Sequence, residues 1–557
     1  AIWSIISTDR AYNTCALKRE LLALSNTRFD LLVVGAGIYG ATIAWDAAQR
    51  GLSVALIDRG DFGGGTSANS AKTVHGGIRA LQTGQLKELR SFVRERRALC
   101  RIAPHLVHRL PFIIPTYTGL TRHRLTMGAA FGLYDLLARD RNKLSDRSKH
   151  LPASHLVSRA QCLALNPMIA PDGVTGGIVW HDCQMYNADR VVLAFVQSAV
   201  NTGATAANYL EVTGWISEGK GVSGVTVHDR AGLNTLDISA KLVINATGPG
   251  SSTLMKNFSP AIRKGCTPGL SRAMNLVTRS VTQEHAIGGL VGSRFLFALP
   301  WRGHTIIGTS HDRFDPQQHS LEIKETDIRS FLLQVNSAFP LARLGIDDVQ
   351  LVHSGLLPAT GTSGEQLLKN SLIRDHRSDG IRGLMSVIGV RYTTARATAE
   401  MVVDRVFSLF GHQPPPCRTE TTPLIGGDIN NFEHFLATAI TKPDNRISAS
   451  TRRRLAFSYG SHQDVVLRLM GADQALAQSL SDKCAVTRGE ILHSARHEMA
   501  IRLSDAILRR TESGSAGHPG SSALVEAARV MAAELGWTAS RQQEEIEQVE
   551  STYRWSQ

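Results

Sequence analysis

The stretch Phe29–Arg79, FDLLVVGAGIYGATIAWDAAQRGLSVALIDRGDFGGGTSANSAKTVHGGIR, constrains the fold more than any other part of the chain. DLLVVGAG predicts an apolar strand, IYGATIAWDAAQRG a helix and LSVALID a second strand, the pattern of a βαβ unit. Gly35, Gly37 and Gly40 form GxGxxG at the turn from strand to helix. The first glycine permits a tight turn, the second lets backbone approach a pyrophosphate, and the third lets helix and strand pack closely. Asp58 closes the second strand roughly twenty residues later, where a carboxylate can accept hydrogen bonds from a ribose. A dinucleotide is therefore expected, and NAD and FAD both use this fingerprint.

Two later segments choose between them. KLVINATGPGSS (241–252) is an apolar strand ending in a turn that holds Ala246, Thr247 and Gly248. GLMSVIGVRYTTARATAEMVVDRVFSLFG (383–411) reads as a strand, a turn at Gly389 and an amphipathic helix. The amides at about Val390–Thr394 could face an anionic isoalloxazine C2 oxygen, which points to a flavin. These segments and the first strand are predicted as neighbours in one sheet. Between them RFLFALPWRGHTIIGTSHD (294–312) suits an antiparallel sheet. After the Pro triplet at 414–416 the pattern becomes helical to the end. The expected division is 26–95, 168–255 and 370–412 for a nucleotide domain, 96–167 and 256–369 for a substrate domain, and 418–557 for a helical module.

At 557 residues, 43% hydrophobic and 20% charged, the chain reads as soluble and multidomain. No apolar run reaches eighteen residues, and the opening stretch is too short and interrupted for a secretory signal. Residues 1 to about 25 read as an arm. Seven cysteines without a CxxC pair argue against a zinc site or disulfide framework and suit a reducing compartment. The net charge of +13 suits an anionic lipid surface, an acidic substrate or nucleic acid. A nucleic-acid partner is set aside because no reader motif with interleaved aromatics occurs. The arginine runs at 90–101 and 450–455 read as solvated helix faces. His493 and His497, four apart on a helix with His462 upstream, lack an HExxH pattern and read as surface or capping groups, so no metal is expected.

An ordered set of stretches carries a family resemblance: GDFGGGTSANSAKTVHGGIRAL, APHLVHRLPFIIP, LVINATGPG, LPWRGHTIIGTS, HSGLLP, GVRYTTAR, and in the helical module YGSHQDVVL and HEMAIRLSDAILRRT. From about residue 20 onward the chain resembles FAD-dependent glycerol-3-phosphate dehydrogenases and oxidases. The resemblance implies an α/β fold: a glutathione-reductase-like FAD-binding Rossmann domain interleaved with an antiparallel β substrate domain, plus a C-terminal α-helical domain. It implies hydride transfer from a secondary alcohol to flavin N5, with quinone or oxygen as electron acceptor. It also implies a cytoplasmic protein, peripheral on the inner face of a membrane; 125–143 would serve as the contact or else be a plain buried helix. The oligomeric state stays open, a homodimer being one option.

The expected cofactor-binding set is Gly35, Gly37, Gly40, Asp58, Thr66, Ser67, Ser70, Lys72, His75, Gly76, Gly77, Ala246, Thr247, Gly248, Gly389, Arg391, Tyr392 and Thr393. By the resemblance His75 is the base that takes the hydroxyl proton, Arg79 binds an anion by its fork of donors, and Arg391 completes the catalytic set. Gly76 and Gly77 would let backbone pass beneath the flavin ring, and Lys72 and Ser70 would contact its phosphate or ribose.

Several pocket positions leave the family's pattern. Ala80 stands where the family has Tyr, and Leu357 where it places a phosphate-binding Arg. Arg391 replaces a Lys, and the family's His in a GxHxV strand falls near Met274 or Asn275. A charge-assisted contact contributes about 1.5–3 kcal/mol, so these losses imply a changed substrate, still anionic because Arg79, Arg391 and Arg272 remain. Two alternatives stay open: an amine or amino-acid oxidase of the same superfamily, and an FAD-binding scaffold without catalysis.

Overall fold

The computed structural model describes residues 16–219, 221–255, 269–292, 294–315, 321–360, 366–441 and 447–556. Cys15, Cys266 and the arm before residue 16 lie outside them.

The run Leu31–Val34 is apolar at every position because the sheet it enters is covered on both faces. Its neighbours are Thr235–Asn245 and Val54–Ile57, both parallel to it. The sheet order is Leu372–Asp375, Leu384–Ile388, Thr235–Asn245, Arg28–Val34, Val54–Ile57, Thr205–Ala207, so the three predicted segments do lie side by side. The hairpin of Leu210–Glu218 and Gly221–Asp229 extends Thr235–Asn245 antiparallel. Helix Ile38–Gln49 is buried from Ile38 to Ala48, which fits its apolar residues on all sides. It packs with Ala188–Asn201 and Ala395–Leu409 around Trp45, Phe195 and Val402.

A second, ten-stranded sheet runs Gln366–Leu367, Val349–Thr360, Gly269–Arg279, His304–Phe314, Arg294–Trp301, Ala286–Val291, Val107–Thr116, Gly176–Met185, Thr73–Val74, with His155–Ser158 beside Gly176–Met185. Two of its strands, Thr73–Val74 and Gly176–Met185, lie in ranges that the sequence assigned to the nucleotide domain. They belong here because Thr73 and Val74 pair with Gln184 and Cys183, and Gly176–Met185 pairs along its length with Val107–Thr116. The chain therefore crosses between sheets directly after Asp58, and the second sheet delivers His75.

The C-terminal part holds helices Phe432–Thr441, Ala449–Tyr459, Gln463–Ala472, Arg488–His497, Ser521–Leu535 and Ala539–Ser551. It is pinned to the first sheet's loops by buried ion pairs. Asp61 accepts from Arg510 at 2.7 Å on each oxygen and from Arg509 at 2.6 Å, while Glu498 accepts from Arg190 at 2.6 and 2.8 Å. The histidines expected at the surface belong to this seam. His493 is buried and stacks on His497 at 5.1 Å, and both line a cavity of about 30 Å³ with His105, His462 and Arg190. Helical spacing alone could not distinguish this face from a solvated one.

The arginine runs are only partly solvated: Arg90, Arg94 and Arg453 are exposed, but others are built into the structure. Arg96 is buried against Asp182 and Tyr134, Arg97 pairs with Asp140 and Glu420, and Arg454 grips Glu490. The five described cysteines are free. Among the described residues no helix is long and apolar enough to cross a membrane.

Candidate functional site

Between the two sheets lies a cleft of about 1840 Å³. At one end the first strand turns at Gly35, whose φ of +101° favours glycine; a Cβ there would lie 2.7 Å from the Ala246 carbonyl. A Cβ on Gly40 would fall far inside contact with the Gly35 carbonyl, so Gly40 serves helix packing and stays off the cleft wall. Gly37 caps the helix, and Ser67 Oγ accepts the Ile38 amide at 3.0 Å. Asp58 closes this end, accepting the amides of Ala36 at 2.7 Å and Gly60 at 2.9 Å. Burial pushes its carboxyl up to about 6. Thr247, bonded to Asn245 Oδ1 at 2.6 Å, and Gly248, where an added Cβ would meet nothing within 4 Å, line the opposite wall. A glycine-surfaced trench, a helix N-terminus and a carboxylate at one end match the needs of a dinucleotide.

The other end is built by the segment that leaves the second sheet. The His75 amide donates to Thr393 Oγ1 at 3.2 Å, and its imidazole, 48% exposed, stands with Nδ1 3.7 Å from Asp182 Oδ2. Gly76 lies off the cleft. A Cβ on it would strike Arg96 and Tyr134 and lie 2.6 Å from Asp182 Oδ1, which accepts the Gly76 amide at 2.8 Å. Gly77, with φ of +82°, approaches Phe92. Gly76 therefore answers to packing beneath the segment, whereas Gly77 packs on Phe92 and also lines the cleft.

Arg79 stacks over Phe295 and Phe297, 5.4 and 5.1 Å from the ring centroids, and no carboxylate among the described residues pairs with it. Arg391 is engaged: it forms an ion pair with Glu88 and lies 5.0 Å over Phe92. Arg272 also is paired, with Asp327 at 3.1 Å.

Several residues of the expected cofactor set line the cleft while their polar groups hold protein partners. The Val390 and Arg391 amides, expected to face the flavin, both donate to the Tyr39 hydroxyl at 3.1 Å, which in turn donates to the Arg391 carbonyl at 2.8 Å. A Cβ on Gly389 would collide with the Tyr39 ring. The Lys72 ammonium turns inward to the Ala68 carbonyl and to Asp189, 3.7 Å away, although its residue lines the cleft. Burial lowers its pKa, opposed by Asp189. Tyr392 sends its hydroxyl to the Ala188 carbonyl at 2.9 Å. Thr66 donates to the Leu356 carbonyl at 2.9 Å, and Ser70 Oγ accepts the Lys72 amide at 3.3 Å.

Ala80 and Leu357 both line the cleft, as does Asn275, held by Thr309 at 2.8 Å. Sequence reasoning missed Tyr39 and His311. His311 sits on strand His304–Phe314, lines the cleft, and has a buried Nδ1 without a hydrogen-bond partner. The only signal for it was its place just after the quoted GTS. Among the described residues no cluster of three metal-ligating side chains occurs.

Residues 30–405 match the family model described as FAD dependent oxidoreductase, and 417–542 match the C-terminal domain of alpha-glycerophosphate oxidase. The chain is 29% identical to a glycerol-3-phosphate dehydrogenase of Synechocystis, over 95% of this chain and 97% of that one. It is 31% identical to the mitochondrial glycerol-3-phosphate dehydrogenase of Mesocricetus auratus, covering 95% and 74%. The solved structure of a Bacillus halodurans glycerol-3-phosphate dehydrogenase complexed with FAD superposes with a TM-score of 0.74 at 26% identity, covering 95% of each chain.

Proposed function

We propose, from the premise that the chain belongs to the FAD-dependent oxidoreductases and among them to the glycerol-3-phosphate dehydrogenase family, that it oxidises a secondary alcohol on a small anion. Glycerol 3-phosphate, a related polyol phosphate or a hydroxy acid is the substrate, and quinone or oxygen takes the electrons. One observation carries this reading: where the nucleotide trench ends, an exposed imidazole and an arginine with no carboxylate partner among the described residues share one wall of the cleft. When bound, FAD supplies the hydride acceptor at its N5. His75 takes the hydroxyl proton, and Asp182, 3.7 Å from Nδ1, orients the ring and stabilises the charge it gains. Arg79 holds the anionic group, and Phe295 and Phe297 beneath it keep the guanidinium partly dry, which strengthens its grip.

Anaerobic addition of an alcohol and amine panel to the FAD-loaded protein tests this. Anionic secondary alcohols are expected to bleach the flavin band. Bleaching by amines alone would make the protein an amine or amino-acid oxidase, and bleaching by nothing would make it a scaffold.

A peripheral membrane contact forms part of the proposal. On helix Arg124–Leu137 only Phe131 and Tyr134 are buried, whereas Leu125 and Leu136 are 72% and 64% exposed beside the exposed Arg122, Arg124 and Arg139. Leucines rimmed by arginines suit an anionic bilayer face. Cosedimentation with anionic vesicles, lost in a Leu125→Asp/Leu136→Asp variant, is the expected result; equal pelleting of both proteins would refute it.

A further inference from the structure

We propose that His311 is a specificity-determining contact for the anionic end of the substrate, acting with Arg79. This rests on the cleft being the substrate site of the proposed oxidoreductase. In the second sheet Ala273 pairs with His311 on one side and Gly355 on the other. One pleat along, Ser271 pairs with Arg313 and Leu357. Paired residues of antiparallel strands project to the same face, so His311 and Leu357 look into one cleft from strands two apart. The face that offers methyl groups at Leu357 offers an imidazole at His311.

Three further observations make that imidazole the receptor. Its Nδ1 is closed to solvent and has no hydrogen-bond partner among the described residues, so Nε2 is the nitrogen left to meet a ligand in the cleft. Two cations act on it through space: Arg79, which is stacked on Phe295 and Phe297 in the same cleft, and Arg294, which opens the strand bearing those phenylalanines. Burial and these two cations hold the ring below the ordinary histidine value, Asp312 opposing them. Of the cations that the sequence nominated beside Arg79, Arg391 is paired with Glu88 and Arg272 with Asp327. An oxyanion at this point would meet the imidazole N–H and the forked donors of Arg79 together, which suits phosphate or carboxylate rather than a neutral sugar.

The test is equilibrium titration of the FAD-loaded full-length protein with inorganic phosphate, followed by heat of binding and by the flavin difference spectrum. His311→Ala and the space-filling His311→Phe are expected to weaken phosphate about ten- to a hundredfold at unchanged FAD content. His311→Gln, which keeps a donor, is expected to recover part of the loss. The phenylalanine variant decides if the alanine one fails to hold FAD. Phosphate affinity unchanged in His311→Phe, no saturable phosphate binding by the wild type, or a tenfold gain in Glu88→Gln that placed the anion on Arg391 would each overturn the proposal. No turnover is needed, so phosphate bound through His311 in a protein whose flavin no alcohol reduces would uphold this contact and refute the reaction.

Discussion

His75 and Arg79 are four residues apart in the chain, yet different neighbours equip them for different tasks. His75 has a carboxylate at 3.7 Å and solvent access, and Arg79 has aromatic faces and, among the described residues, no counter-charge. His75→Ala is therefore expected to lower the rate of flavin reduction by about 10²–10⁴-fold at saturating substrate, and Arg79→Ala chiefly to raise KM by about ten- to a hundredfold. Stopped-flow reduction over a range of substrate concentrations separates the two. Gly76 makes a steric demand of another kind. Gly76→Ala drives a methyl group into the buried Arg96–Asp182 pair, and breaking such a pair costs about 3–5 kcal/mol, so loss of FAD and a lowered thermal midpoint are expected. The stretch around HGG was legible in the sequence, but the reason for Gly76 was not, because Arg96, Tyr134 and Asp182 come from three distant segments. Tyr39 was hidden for the same cause: it reads as one more apolar helix position, and its partners Val390 and Arg391 lie over 350 residues away.

Among the elements, the loop from Asp58 to His75 joins the two sheets and gives the cleft both its nucleotide end and its reactive end. Its beginning is held from outside. Arg509 and Arg510, in the turn Ala506–Arg510 of the C-terminal part, clamp Asp61 three residues beyond Asp58. Burial alone would raise the Asp61 carboxyl, but the two guanidiniums hold it well below the usual carboxylate range. Arg510→Ala leaves a buried carboxylate short of a partner, at a cost of about 3–5 kcal/mol, and should loosen the Asp58 end of the trench. Faster flavin release on dilution, measured by recovery of free-flavin fluorescence, is the expected outcome. The βαβ unit and its sheet neighbours were legible because apolar runs and glycine turns are local signals. The crossing into the second sheet and this clamp depend on pairings between remote segments, which leave no periodicity behind.

For the molecule as a whole, the seam between the first sheet's loops and the C-terminal helices should be labile to acid. Burial and His493 hold the His497 ring down to about 4, from an ordinary 6.5. Burial also lowers His105 and His462. Across that window the unfolded chain binds protons that the folded rings refuse, so this contribution is complete above about pH 6.5 and is lost as pH falls toward 4. Glu498, which burial would raise but Arg190 and His493 hold down to about 2, adds a loss that sets in below its ordinary 4.5. Amide protection factors in helix Arg488–His497, corrected for the intrinsic pH dependence of exchange, should therefore fall between pH 6.5 and 4, ahead of those in the first sheet. The central claim, that this cleft passes hydride from an anionic secondary alcohol to bound FAD, is tested most directly by anaerobic stopped-flow mixing of the FAD-loaded protein with glycerol 3-phosphate, protiated or deuterated at C2. The account predicts loss of the oxidised flavin band, slowed several-fold by deuterium. A flavin band left unchanged by saturating glycerol 3-phosphate and by every other anionic secondary alcohol of the panel would contradict it.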